Sequence, residues 1–127
     1  MVKHLPYRYR DYSRLAAEAS LAARDQGKFR EMHLLLLGRS PKLDRESLIG
    51  CAKELNLDVP RFTKDLDTMR HQPEIDRDLT LGEALDLYNT PTIFINGVKL
   101  LGDRPIEEYR TVIDRELKSA GQRGKKR

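Results

Sequence analysis

The chain has 127 residues, 39% of them hydrophobic and 35% charged, with one cysteine and a formal charge of +4 at neutral pH. That length suits a single domain with a modest core, and no apolar run approaches the roughly 20 residues that cross a bilayer. The lone Cys51 excludes an internal disulfide, a two-cysteine redox cycle and a cysteine-based zinc site, so any thiol chemistry needs a second chain.

The excess positive charge is a tail. Residues 118–127 hold Lys118, Arg123, Lys125, Lys126 and Arg127 with no acid, which leaves residues 1–117 at −1. The opening residues, Met1 to Arg8, include no apolar signal region, so the chain as written is expected to be cytoplasmic.

In chain order, Val2 to Leu5 reads as the end of a strand stopped by Pro6. Asp11 to Gln26 predicts a helix with a small-residue face of Leu15, Ala16, Ala19, Ala22 and Ala23, terminated by Gly27. Tyr7, Tyr9 and Tyr12, interleaved with Arg8, Arg10 and Arg14, are the lead-in to this helix rather than a base-stacking platform. Lys28 to Leu37 predicts a second helix with Phe29, Met32, Leu35 and Leu36 inward, ended by Gly38 and Pro41. Asp44 caps a third, striped by Leu48, Ile49, Ala52 and Leu55, with Asn56 as a left-handed end. Asp58 caps a fourth through Val59, Phe62, Leu66 and Met69, with Pro60 tolerated in its first turn. Pro73 opens a fifth to about Leu87, burying Ile75, Leu79, Gly82 and Leu85. Gly82 costs about 1 kcal/mol there relative to alanine, which predicts close approach of another backbone.

Thr92 to Ile95 is a β-branched and aromatic run, Asn96-Gly97 is a strong two-residue hairpin signal, and Val98 to Leu101 returns. Three consecutive apolar residues, Ile93 to Ile95, predict a strand covered on both faces in a complete sheet, and Lys99 marks the second strand as an edge. Pro91 cannot donate to a ladder, so it belongs at the strand's start, where a cis bond fits. A last helix starts at Pro105, with Glu107 and Glu108 at its positive end and Ile106, Tyr109, Val112, Ile113 and Leu117 as its buried face.

The Thr-Pro-Thr-Ile-Phe-Ile-Asn-Gly segment, the short strand, Gly102, Pro105 and the amphipathic helix together resemble the cis-proline loop and C-terminal half of DsbA-like thioredoxin-fold proteins. Leu15 to Gly27, with Lys28-Phe29 and His33, resembles that family's helical insertion, and the resemblance runs nearly to Leu117. It implies an α/β class, an incomplete thioredoxin-like fold that is mostly helical by content. The truncated domain would span 1–119, with the insertion over about 11–87, the loop and hairpin over 88–101 and the final helix over about 105–119. Residues 120–127 would be a disordered basic tail. The family's Cys-x-x-Cys helix and its first core strand have no counterpart here, as in a chain cut short or a gene whose start lies further upstream. Asn89 stands where the family has glycine, and Asp86-Leu87 where it has Gly-Val.

In that family the residue before the cis-proline offers backbone groups that hold substrate as an added strand. The resemblance carries this role onto Thr90 and Pro91 and no further, so no catalytic residue and no cofactor is expected. Cys51, beside Ala52 on an apolar stripe, reads as a packed thiol. His4, His33 and His71 are isolated and at no metal-ligand spacing. Asp65, Asp67, Glu107 and Glu108 read as solvated surface. The tail reads as solubilising, so neither nucleic acid nor membrane is expected as a partner.

The leading expectation is part of a thiol-disulfide oxidoreductase, inactive alone, whose parent family is often periplasmic or extracytoplasmic. A non-catalytic peptide-binding or oligomerisation module is the alternative from another class, and a fragment of the kappa-class glutathione transferase and isomerase branch is a third. With its central strand absent, the strand at Thr92 would keep an open edge and incompletely covered faces. That predicts completion in trans, most simply by a symmetric dimer, or within the chain by Val2 to Leu5.

Overall fold

The computed structural model describes residues 1–7 and 12–125. It divides into two compact units, 1–84 and 85–127. Arg8, Tyr9 and Arg10 of the aromatic-basic lead-in, Asp11, and Lys126 and Arg127 of the tail lie outside the described residues.

The first unit holds five helices: α1 (Ser13–Arg24), α2 (Phe29–Arg39), α3 (Arg45–Glu54), α4 (Val59–Asp67) and α5 (Gln72–Ala84). α1 packs against each of the other four. Its alanines allow this, since Ala19, Ala22 and Ala23 are fully buried and let Met32, Leu36, Leu48, Phe62 and Leu66 approach from the surrounding helices.

Three helices end in the same way. The N–H of Lys28 reaches back to the carbonyl of Ala23, that of Leu57 to Ala52 and that of Arg70 to Asp65. The residue before each of these donors, Gly27, Asn56 and Met69, takes positive φ. This is the Schellman ending, in which a left-handed residue turns the chain so that orphaned carbonyls are satisfied. The sequence reading placed Met69 on the buried stripe of α4, but α4 stops at Asp67 and Met69 makes the turn with φ +49°.

Other boundaries also differ. α2 runs through Gly38 to Arg39, because it is Ser40, held extended before Pro41, that leaves the helix. α5 ends at Ala84 rather than near Leu87, and Leu85 is exposed. A Cβ on Gly82 would lie 2.8 Å from Leu5 Cδ1, so a side chain, not a backbone, crowds that glycine. Val2 to Leu5 is not a strand; its His4 N–H is taken by the buried Asp78 carboxylate at 2.8 Å.

The second unit holds β1 (Thr92–Ile95), β2 (Val98–Leu101) and α6 (Ile106–Lys125). The strands are antiparallel, pairing Thr92 with Leu101 and Ile95 with Val98. Asn96 and Gly97 both take positive φ, as a two-residue hairpin turn with the right-handed strand twist requires. Asn96 Nδ2 donates to Glu116 Oε2 at 2.9 Å, tying the turn to α6. α6 continues through Gly121 and Gly124 to Lys125, past the expected end near 119, since isolated glycines weaken an exposed helix without breaking it.

Among the described residues the sheet has these two strands alone. Burial follows from that narrow width. Ile93 and Phe94 remain 37% and 45% exposed, so β1 is not covered on both faces. On α6 only Val112 is buried and Tyr109 half-buried, whereas Ile106, Ile113 and Leu117 are exposed, against the expected face. A two-stranded hairpin covers one stripe of a helix.

Candidate functional site: the Thr90–Pro91 loop

The loop begins at Asp86, which has φ +57°. This is one of the two positions where the resemblance sets a glycine, and the short polar side chain of aspartate tolerates the left-handed region better than most. Asn89, which also stands where the resemblance sets a glycine, is not among the positive-φ residues. The Asp86 carboxylate accepts the Tyr88 hydroxyl at 2.7 Å, while the Tyr88 side chain stays 72% exposed.

Thr92 Oγ1 donates to the Asn89 carbonyl at 2.6 Å, closing the loop on itself. The Thr90–Pro91 peptide bond is cis. The Pro91 carbonyl accepts the Gly102 N–H at 2.8 Å, so the loop is anchored to the far end of β2. Asn89, Thr90 and Pro91 are all exposed and lead directly into β1. The arrangement is a bend of backbone held from both ends, with its residues open to solvent beside a strand. Such a bend can receive an extended chain by main-chain hydrogen bonding.

Cys51 lies in the other unit and is fully buried among the core residues of α1 to α4. Arg39 Nη1 is 3.0 Å from its Sγ. Among the described residues, no group of three or more metal-ligating side chains comes together.

The first unit holds a charge cluster that the sequence reading missed. Glu18 on α1 is fully buried, and its carboxylate oxygens accept the His71 backbone N–H at 2.9 and 3.0 Å. His71 Nδ1 lies 2.6 Å from Glu18 Oε1, and Nε2 lies 2.7 Å from Asp25 Oδ2. Burial opposes a charged imidazole, but the hydrogen bonds and charges of Glu18 and Asp25 outweigh it and raise the His71 pKa above its ordinary 6.5. Arg24 grips Glu74 with two hydrogen bonds at 2.6 and 2.8 Å, which hold the Glu74 carboxyl below its usual range.

The signal for this cluster was in the pattern. Glu18 falls three residues after Leu15 and four before Ala22, on the apolar face of α1. Asp65 likewise sits on the stripe of α4 beside Phe62 and Leu66 and is 4% exposed, so it is not the solvated acid it was read as. Its Oδ1 is 3.4 Å from Arg70. His4 meets the Phe29 ring edge-on, and His33 stacks on that same ring at 6.0 Å. Burial chiefly lowers the His4 pKa, with Asp78 partly offsetting the shift.

A helical region followed by a cis-proline loop, a hairpin and a closing helix is the layout of a thioredoxin-like protein. The family profile described as the DSBA-like thioredoxin domain matches residues 3–114. The chain belongs to that family. It is similar, at 27% identity and a TM-score of 0.80, to a solved thioredoxin-like oxidoreductase from Silicibacter pomeroyi DSS-3, over 91% of this chain and 66% of that one. Among curated proteins it is 38% identical over 114 residues to a protein named Na(+)/H(+) antiporter NhaA from Herminiimonas arsenicoxydans, covering 90% of this chain and 18% of that protein. It is 40% identical over 106 residues to Na(+)/H(+) antiporter NhaA 1 from Salinispora arenicola, covering 83% and 16%. The chain therefore spans less than a fifth of the length of these curated relatives. No helix among the described residues is long and apolar enough to cross a membrane.

Proposed function

We propose that this chain is the substrate-holding part of a thiol-disulfide oxidoreductase domain, that Thr90 and Pro91 present backbone to an extended peptide, and that the chain does not turn over disulfides alone. The family and the oxidoreductase neighbour support the class of reaction. The observation that carries the docking role is the exposed, doubly anchored bend at Thr90–Pro91, which feeds a strand paired on one edge only among the described residues. A disulfide exchange cycle needs an accessible thiolate to attack and a second thiol to resolve the mixed disulfide. The chain's single cysteine is buried, which supports the reading that this chain alone fills neither role.

The test is a titration of the labelled chain with an extended, valine- and threonine-rich peptide, read by amide chemical shifts. Shifts concentrated at Asn89, Thr90 and Thr92 are expected; their absence at millimolar peptide overturns the docking role. In parallel, the purified chain should not accelerate insulin reduction by dithiothreitol, and acceleration would refute the inactivity.

One observation favours a second reading, a non-catalytic module serving a larger protein. The curated relatives are named as Na(+)/H(+) antiporters, and the shared segment is a small share of each. Deleting that segment from the Herminiimonas arsenicoxydans protein and measuring Na⁺/H⁺ exchange checks it. Altered exchange supports the module, and unchanged exchange removes its support.

A further inference from the structure

Both nitrogens of the His71 ring are taken by carboxylates, Nδ1 by Glu18 at 2.6 Å and Nε2 by Asp25 at 2.7 Å. An imidazolium can donate to both, whereas a neutral ring carries one N–H and must turn a lone pair toward the second carboxylate. The geometry therefore fits the protonated ring alone. The two carboxylates differ in what is left to them when a proton leaves. Glu18 is fully buried and also holds the His71 backbone N–H, so without the ring's proton it would be a buried charge short of a donor. Asp25 ends α1 with 22% of its side chain exposed and lies 3.7 Å from Arg24, so water and a guanidinium are at hand.

We propose that His71 is a proton-operated clip: doubly protonated, it ties the end of α1 to the start of α5, and losing the Nε2 proton to solvent releases Asp25 while Nδ1–H stays on Glu18. His71 stands at the head of α5, where its carbonyl accepts the Glu74 and Ile75 N–H groups, so the ring's hold on α1 is a hold on the first turn of that helix. That turn has little else to secure it. The apolar contact of α5 with α1 is the small cluster of Ile75 with Ala17 and Leu21, flanked by Leu79, against the broad core that joins α1 to α2, α3 and α4. The bend leading into it also holds Met69 in the left-handed region, which a side chain of that size disfavours.

The charged groups around the ring come from each element packed there. α1 supplies Glu18, Arg24 and Asp25, α5 supplies Glu74, and Asp65 of α4 pairs with Arg70 of the turn. His4 of the N-terminal segment faces Glu74 and Arg24. Burial lowers the ring's pKa, but Glu18 and Asp25 raise it by more, so release falls above pH 6.5. The Arg24–Glu74 pair does not need the ring proton, so α5 loosens at its first turn and stays attached.

The clip lies within the first unit and stands whether or not the Thr90–Pro91 loop docks peptide. Ring nitrogen resonances of His71 in the isotope-labelled chain, followed from about pH 5 to about pH 9, should show Nε2 losing its proton while Nδ1 keeps it. Over the same range the amide protection of Glu74 and Ile75, corrected for intrinsic exchange, should fall about tenfold. Asp25→Asn offers an acceptor to a protonated ring and a donor to a neutral one, so it should move the ring's midpoint to lower pH and abolish that fall. Circular dichroism checks that this variant keeps its helices; should they be lost, the tautomer of the wild-type ring still decides. Loss of the Nδ1 proton, a ring that does not titrate in this range, protection indifferent to pH, or an equal fall in a folded Asp25→Asn would overturn the proposal.

Discussion

The carboxylate of Glu18 holds His71 twice, taking its backbone N–H at 2.9 Å and lying 2.6 Å from ring Nδ1, in a place where neither side chain meets appreciable solvent. The pair joins the middle of α1 to the turn between α4 and α5, and Asp25 completes it at Nε2. Because the folded state raises the His71 pKa above 6.5, the imidazolium's contribution is complete below that value and is lost as pH rises through the folded pKa. His4, with its pKa lowered, acts in the opposite sense and only as pH falls below 6.5. The thermal midpoint is therefore expected to be lower at about pH 8.5 than at about pH 7, and His71→Gln should flatten that slope. A flat wild-type profile would mean that the ring is already neutral in the fold.

Removing the other partner should cost more. Glu18→Ala leaves the His71 N–H buried without an acceptor and opens space in the α1 interface, a loss of about 3 kcal/mol. Urea unfolding measures it, and a loss under about 1 kcal/mol would show that water replaces the carboxylate.

Asp58 caps α4 by accepting the Arg61 N–H at 3.0 Å, while Gln26 clasps the Asp58 backbone from both sides, accepting its N–H at 2.7 Å and donating to its carbonyl at 3.2 Å. The two arrangements use different atoms of Asp58. Asp58→Ala and Gln26→Ala should each cost about 1 kcal/mol, and because Gln26 holds the backbone of the capping residue, a double-mutant cycle should show coupling of at least about 0.5 kcal/mol, whereas simple additivity would mean that the cap and the clasp act independently.

Leu5 and Gly82 are expected to be coupled. Gly82→Ala gains about 1 kcal/mol of helix propensity, but the new methyl meets Leu5 Cδ1 at 2.8 Å, so part of the gain is lost in moving Leu5. In a Leu5→Ala background the same substitution should give the full gain. A double-mutant cycle with zero coupling would show that Leu5 swings aside freely.

The Cys51 thiol, with no exposed surface, should resist an aromatic disulfide reagent in the native chain and react fully in denaturant. Rapid native labelling would mean that α3 opens locally.

Features that depend on a few neighbouring residues were legible in the sequence. The Asn96-Gly97 turn, the helix endings at Gly27 and Asn56, the Asp58 cap and the placement of Pro91 ahead of β1 all follow from steric and hydrogen-bonding rules that act within one or two turns of chain. The small-residue face of α1 was legible for the same reason. The family resemblance added the order of the elements and the proposal that Thr90 and Pro91 hold substrate.

What lies across from a side chain is not local, and there the tertiary structure decided. Ile106, Ile113 and Leu117 look as core-like as Val112 in the sequence, but the two-stranded hairpin covers only the Val112 stripe. The stripe of α1 marks Glu18 as inward, but that His71 is what meets it is decided only when the chain brings together residues 53 positions apart. Met69 turns left-handed because the path from α4 into α5 requires it, against its own preference. Local chemistry sets which conformations a segment can adopt, whereas burial is a property of the pair of surfaces that meet, and only the fold brings the second surface.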